Sequence, residues 1–443
     1  MNKKRESLTE ERVYRESVRK KIVDGDLYII SGKVEAEDEV LHVFGRIFCE
    51  KDCEIIGSVE TNEVLSKTGD IIINGSLKAG RVEIKHGRLE ISGSLKSDEV
   101  RVSKSIEVSG DIIAGNITVG GSIEVGGNVE AARVKSGGSF KVNKDSKVDY
   151  VDVGGSYSVE EKAISKTIDV GGTFKTGVVE SEDIEVGGTF TSYGPVSVYS
   201  IRVGGTVKLA GGVVKRRIDV GGTLQSYDYL EFGDISVGGT VKLDGGGKGL
   251  LIDVGGTLRV KGGLSFNKID VGGTVKIDGE AHGDDIAVGG TFKSYGDLTI
   301  SNRLKVGGKV SVDGLLQAAN IRVGGKVIAD KVIAEQSLET HTLSTRYGAK
   351  ATRIEIDRRG SVKGTIIGEI ITLKERTSAE DVYADRIHIR GRSRVGNLFG
   401  RVIRIESGCD VDSVTYTEEL RADGSVRIRG GSQKSEKLPE PPF

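Results

Sequence analysis

Through the middle of the chain, apolar and polar residues alternate in short bursts separated by small residues. In Ile252–Lys268 the apolar pairs are Ile252 and Val254, Leu258 and Val260, and Leu264 and Phe266, with Asp253, Arg259 and Ser265 between their members. A period of two marks a strand with one buried face. Gly255-Gly256, Gly262-Gly263 and Asn267-Lys268 separate the pairs, so each unit predicts three short strands and three corners. At Ile269 the pattern starts again. Glycine suits such corners because it takes positive φ freely and lets one backbone approach another.

The position of Val254 recurs at 119, 136, 153, 170, 186, 203, 220, 237, 271, 288, 306 and 323, and every one of these is Val except Ser136. The mean step is 17 residues, with one step of 16 and one of 18. So strict a period means one supersecondary unit stacked on copies of itself, and it is too short for a helical pair. A lone three-sided coil cannot bury its inward side chains, so each strand must pair in parallel with its copy one period away. The predicted fold is all-β: a single-stranded parallel β-helix, or β-solenoid, with three short strands and about 17 residues per coil. Equivalent residues then form ladders. Phe140, Tyr157, Phe174, Phe190, Val207, Leu224, Val241, Leu258, Val275 and Phe292 make an inward column, and Thr173 through Thr291 an outward one beside it.

Taken in order, residues 1–24 read as a charged arm or short capping helix, with Thr9-Glu10-Glu11 as its start and Leu8, Val13, Tyr14, Val18 and Ile22 as a thin apolar stripe. A basic anchor for a membrane surface is the second reading of that segment. Residues 25–334 form the regular solenoid, its early coils punctuated by Gly57-Ser, Gly75-Ser, Gly93-Ser and Gly110-Asp. The Val-Gly-Gly signature ends near Lys326, so 335–353 is expected to be an interruption or loop, 354–430 a continued or second solenoid section, and 431–443 a disordered tail holding three of the four prolines. Wound throughout at 17 residues per turn, such a solenoid would be a rod of roughly 115 Å.

Composition narrows the function classes. With 64 basic and 65 acidic residues the net charge is −1, which argues against a strongly basic polymer binder. Three cysteines, Cys49, Cys53 and Cys409, are too few for a disulfide framework and fit a reducing compartment. No apolar run reaches about 18 residues, and no signal-peptide core opens the chain. The expected location is therefore the cytoplasm.

Candidate chemistry is sparse. Cys49-x3-Cys53 lacks a second ligand pair, the five histidines share no motif, and no glycine-rich loop ends in Gly-Lys-Ser or Gly-Lys-Thr. The expectation is a non-enzyme without cofactor, metal, nucleic acid or small-molecule substrate. Two kinds of position stand out. The corner glycines Gly171, Gly172, Gly204, Gly205, Gly221, Gly222, Gly238, Gly239, Gly255, Gly256, Gly272 and Gly273 are candidate structural determinants. Lys208, Lys242, Arg259 and Lys276 form one outward charged column and Asp219, Asp253 and Asp270 another. These are candidate lateral contacts between molecules, weighed against two solvated faces.

The repeats, written Gly-Ser-Leu-Lys-Ala-Gly-Arg-Val-Glu-Ile around Gly75 and Ile-Asp-Val-Gly-Gly-Thr-Val-Lys-Ile around Gly272, resemble those of the bactofilins, a polymer-forming cytoskeletal family. The resemblance covers the body of the chain, which carries several times the coils of a single bactofilin domain. It implies a right-handed triangular β-helix that assembles with itself, without nucleotide, into cytoplasmic and sometimes membrane-associated filaments. A non-polymerising cytoplasmic scaffold or spacer is the alternative. A hexapeptide-repeat acyltransferase and a surface adhesin are weaker ones, because the six-residue spacing breaks at Ile269 and one Thr per coil sits among charges.

Overall fold

Alternating β-branched and charged residues leave this chain one way to bury its apolar half, which is to pair each short strand with its own repeat. The computed structural model, which describes residues 10–443, shows that arrangement. Every regular element among the described residues is a β-strand, and the strands pair in parallel. Two compact units result, Met1–Gly221 and Gly222–Phe443, each a parallel β-solenoid with about 17 residues per coil.

In the first unit the registers set Leu95 against Ile112, Ile112 against Val129, and Val129 against Ser146. Between Ile106 and Val119 two strand segments make up most of a coil. Along the inward aromatic column Phe140, Tyr157, Phe174 and Phe190 stack at ring-centroid separations of 5.0, 4.9 and 5.0 Å, all fully buried. The tyrosine is accommodated by a second departure from the apolar pattern. Its hydroxyl donates to Ser146 Oγ at 2.7 Å, which satisfies both polar groups in the core. Ser136, the exception in the Val column, likewise gives its hydroxyl to the Gly121 carbonyl at 2.7 Å.

The Gly-Ser and Gly-Asp marks read in the early coils form a ladder of a different kind. Ser76 N donates to Ser58 Oγ, Ser94 N to Ser76 Oγ, Asp111 N to Ser94 Oγ and Asn128 N to Asp111 Oδ1, at 2.7–3.1 Å. Each short polar side chain thus caps the backbone of the next coil at its corner.

In the second unit three separate strands, Leu251–Val254, Thr257–Val260 and Leu264–Ser265, occupy one coil. Their partners one period on are Lys268–Val271, Thr274–Ile277 and the start of Ala281–Val288.

Three segments differ from expectation. Residues 10–23 are not helical: Glu10–Tyr14, Ser17–Lys20 and Ile22–Val23 are strands, and Glu10–Tyr14 pairs with Asp26–Ile30. Pairing buries Val13 and Val23, a gain that overrides the helical preference of a weak stripe. The helix start at Thr9 and the rest of the arm lie outside the described residues. Nor is 335–353 an interruption, because strand Lys309–Thr345 runs into it and sets Val332 against Ala349 and Leu338 against Ile354. The stretch from 431 is also placed. Ser432–Lys434 pair with Val414–Tyr416, and Phe443 returns to Gly348, with Lys331 Nζ 5.2 Å from its ring centroid.

Candidate functional site

The corner glycines are required by close stacking. In the first unit a Cβ on Gly171, Gly172, Gly204, Gly205 or Gly221 would lie 2.3–2.5 Å from the carbonyl oxygen of the glycine one coil earlier. Gly239, Gly255, Gly256, Gly272 and Gly273 meet the same obstacle in the second unit at 2.4–2.5 Å, with Gly222 and Gly238 supplying two of those carbonyls. None of the twelve is at positive φ. The expectation that these corners exploit left-handed backbone is therefore corrected. Their glycines let successive backbones hydrogen-bond straight through the corner, as in Gly172 N to Gly155 O at 2.9 Å and Gly256 N to Gly239 O at 3.1 Å. Positive φ is used at a different corner, by Gly262 at 98°.

Strand pairing sets Lys242 beside Arg259, Arg259 beside Lys276, and Asp253 beside Asp270, and in the first unit Arg202 beside Asp219. Neighbours two residues away neutralise part of each column. Lys276 reaches Asp278 at 3.1 Å, Arg217 reaches Asp219 at 3.5 Å and Lys268 reaches Asp270 at 3.9 Å. Among the described residues, Lys208, Lys242, Arg259 and Asp253 have no opposite charge within ion-pair distance. In the first unit Asp152, Asp169 and Glu185 adjoin one another. Burial and these two neighbours raise the Asp169 carboxyl above its ordinary range.

The histidines stand apart from one another. His42, His282 and His388 each sit beside a glutamate, at 3.4, 3.5 and 2.9 Å, and do not converge. Cys49, Cys53 and Cys409 are buried and free, and burial, with Cys53 beside it, pushes the Cys49 thiol well up. Glu339, Glu355 and Asp357 bring carboxylate oxygens within 4.8 Å of one another. That trio already has resident cations: Lys374 bridges Asp357 at 2.8 Å and Glu355 at 2.5 Å, and Arg322 lies 3.3 Å from Glu339. Hydrogen bonds to both carboxylates hold the Lys374 ammonium firmly protonated.

Among the grooves of the first unit, two have the larger volumes. One, of about 640 Å³, runs past His42, Phe44, Lys78, Lys96 and Ile113. The other, of about 860 Å³, follows the outward column Arg12, Tyr28, Phe48, Leu65 and Glu83. In it the Tyr28 and Phe48 rings stack at 4.5 Å. The sequence held a signal for this stripe, since Tyr28 and Phe48 stand at polar parity between the buried Leu27 and Ile29 and the buried Ile47 and Cys49.

The remaining feature is a coil edge. Strand Asp410–Ala422 pairs along most of its length with Arg394–Ile405. On its other side only Asp410–Val411 and Val414–Tyr416 find partners among the described residues. Leu420, Val426 and Ile428 continue inward positions but are only partly covered, whereas Ile403 and Ile405 one coil earlier are fully buried. No protein-family model, curated protein or solved structure matches the chain. Among the described residues no helix is long and apolar enough to cross a membrane.

Proposed function

We propose that this chain is a structural, self-assembling protein, non-catalytic and independent of cofactor or nucleotide, whose β-solenoids stack end to end into filaments. The observation that carries the reading is the edge after Tyr416, where unpaired strand and half-covered Leu420, Val426 and Ile428 offer a template for another parallel strand. Glu10–Tyr14 supplies a strand to meet it, being paired only with Asp26–Ile30 among the described residues. The repeat style that resembles the bactofilins agrees with this reading, and right-handed winding in the cytoplasm belongs to it. Lateral pairing through Lys208, Lys242, Arg259 and Asp253, the column members without an opposite charge in ion-pair reach among the described residues, would bundle such filaments.

One observation favours the alternative of a non-polymerising scaffold. The edge carries Glu418, Glu419, Arg421, Asp423, Arg427 and Arg429, and charges on an edge strand are a common block to pairing. Negative-stain electron microscopy of the purified full-length chain, without nucleotide at low and high salt, separates the two. Filaments many molecules long support assembly, and salt that unbundles without shortening them assigns the charged columns to lateral contacts. Single particles at every salt overturn it.

A further inference from the structure

We infer that the segment Ser435–Phe443 of a second copy of this chain docks in the groove lined by Arg12, Tyr28, Phe48 and Leu65. The inference rests on the end-to-end reading above and gives it a direction. Three of the four prolines fall in Leu438-Pro-Glu-Pro-Pro-Phe443, with Pro439 and Pro442 three apart. Such a sequence favours the extended polyproline II conformation, whose ridges fit aromatic-lined grooves at little entropic cost. The stacked rings of Tyr28 and Phe48 form such a lining, and both are partly exposed.

Charge and reach agree. Lys67 and Lys85 line the groove together with Glu50 and Glu83; Lys85 lies 3.8 Å from Glu83, and Lys67 has no carboxylate within ion-pair distance among the described residues. Glu436 on the tail is its complement, while Glu440 lies 3.8 Å from the tail's own Lys437. Where one copy's edge at Leu420 meets another's strand Glu10–Tyr14, the groove begins in the first coil past the junction, at Arg12. Nine residues of extended chain span up to about 30 Å, and the four strands from Arg12 to Leu65 cover only about 15 Å. Within its own chain the tail instead places Phe443 against Gly348 and beneath Lys331. Gly348, at φ 99°, has no Cβ there, and one would stand 2.1 Å from the ring. The tail therefore has two seats, one within the molecule and one across the junction. Assembly exchanges the first for the second.

The test is a photo-crosslinking benzoyl-phenylalanine in place of Phe443, in a full-length chain mixed from isotopically light and heavy protein and irradiated under assembly conditions. Mixed-isotope crosslinks from position 443 to the Tyr28–Phe48 groove are expected. They should fall at least tenfold in Phe48→Lys, and also in the milder pair Lys67→Glu with Lys85→Glu, should the first variant not fold. Filaments whose crosslinks stay within one molecule, at Lys331–Gly348, overturn the inference and leave the end-to-end reading standing. If no filaments form, that reading fails by itself, and a labelled Ser435–Phe443 peptide titrated against the full-length chain decides the docking. Binding weakened tenfold by Phe48→Lys sustains the groove, and no binding removes it.

Discussion

The same turn of the coil is built in two ways in two regions of the molecule. Where Val-Gly-Gly recurs, as around Gly255 and Gly256, the backbone stays off positive φ, and the corner N–H and C=O groups bond directly to the coils on either side. Both glycine N–H groups of the corner are then bonded, and the Gly256 carbonyl accepts from Gly273 and Thr274. An apolar side chain can follow four residues after the buried valine, as Leu258 follows Val254. In the coils from 354 to 411 a single residue in left-handed conformation turns the chain instead: Arg359, Arg376 and Arg392 at φ 62°, 61° and 62°, then Gly408 at 73°. This bend is longer, with residues 374–377 standing where Gly255-Gly256 stand in the other type, and small polar side chains answer its carbonyls. Thr377 Oγ1 donates to Lys374 O at 2.6 Å, Ser393 Oγ to Arg390 O at 2.7 Å, and Cys409 Sγ to Arg390 O at 3.3 Å. Thr377, Ser393 and Cys409 are buried inside this corner, and the inward column that follows it is still apolar, with Val362, Val395 and Val411. The backbone of a corner thus decides which side chains fill the corner itself.

The two corner types respond differently to substitution. Gly255→Ala forces a Cβ to within 2.4 Å of the Gly238 carbonyl, so the stacked backbones must part. A loss of about 1–3 kcal/mol is expected, read from thermal unfolding followed by circular dichroism. Arg376→Gly runs the other way. It relieves a left-handed residue that costs about 1–2 kcal/mol, offset in part by the greater freedom of glycine when unfolded. A net gain of up to about 1 kcal/mol is expected, localised by native-state hydrogen exchange to the coils around 376. If both changes destabilise equally, the distinction between corners fails.

Acid gives the smallest contrast. Hydrogen bonds from Arg401 and Arg429 hold the carboxyls of Asp385 and Asp410 below the usual range. A depressed carboxyl binds fewer protons folded than unfolded, so its contribution is complete above the unfolded value, near about 3.9, and is lost as pH falls through the folded one. Asp169 is raised by burial and by Glu185 and Asp152, so its penalty is present at neutral pH and is relieved in acid. Hydrogen exchange between pH 7 and pH 3 should therefore show protection falling more around Asp385 and Asp410 than around Asp169.

Much of this was legible beforehand because a solenoid writes its register into its period. Val254 and Leu258 announce both the stacking and the inward columns, and Gly75-Ser announces a capped corner. What stayed hidden depends on backbone angle and on partners distant in sequence. Gly255 and Gly262 look alike in sequence, yet only the second is at positive φ. Arg376 gives no residue-type signal for its left-handed angle. Glu10–Val23 carries too thin a stripe to reveal strands that only pairing stabilises. The fold of 431–443 depends on Gly348 and Lys331, more than 80 residues away.

The central claim is that the edge at Leu420 and Ile428 joins molecules. Sedimentation velocity of the wild-type chain and of a Val426→Asp, Ile428→Asp variant, over a range of concentrations without nucleotide, tests it most directly. The account predicts fast, concentration-dependent boundaries for the wild type and a single slow species for the variant, with unchanged circular dichroism in both. Identical boundaries for the two proteins would contradict it.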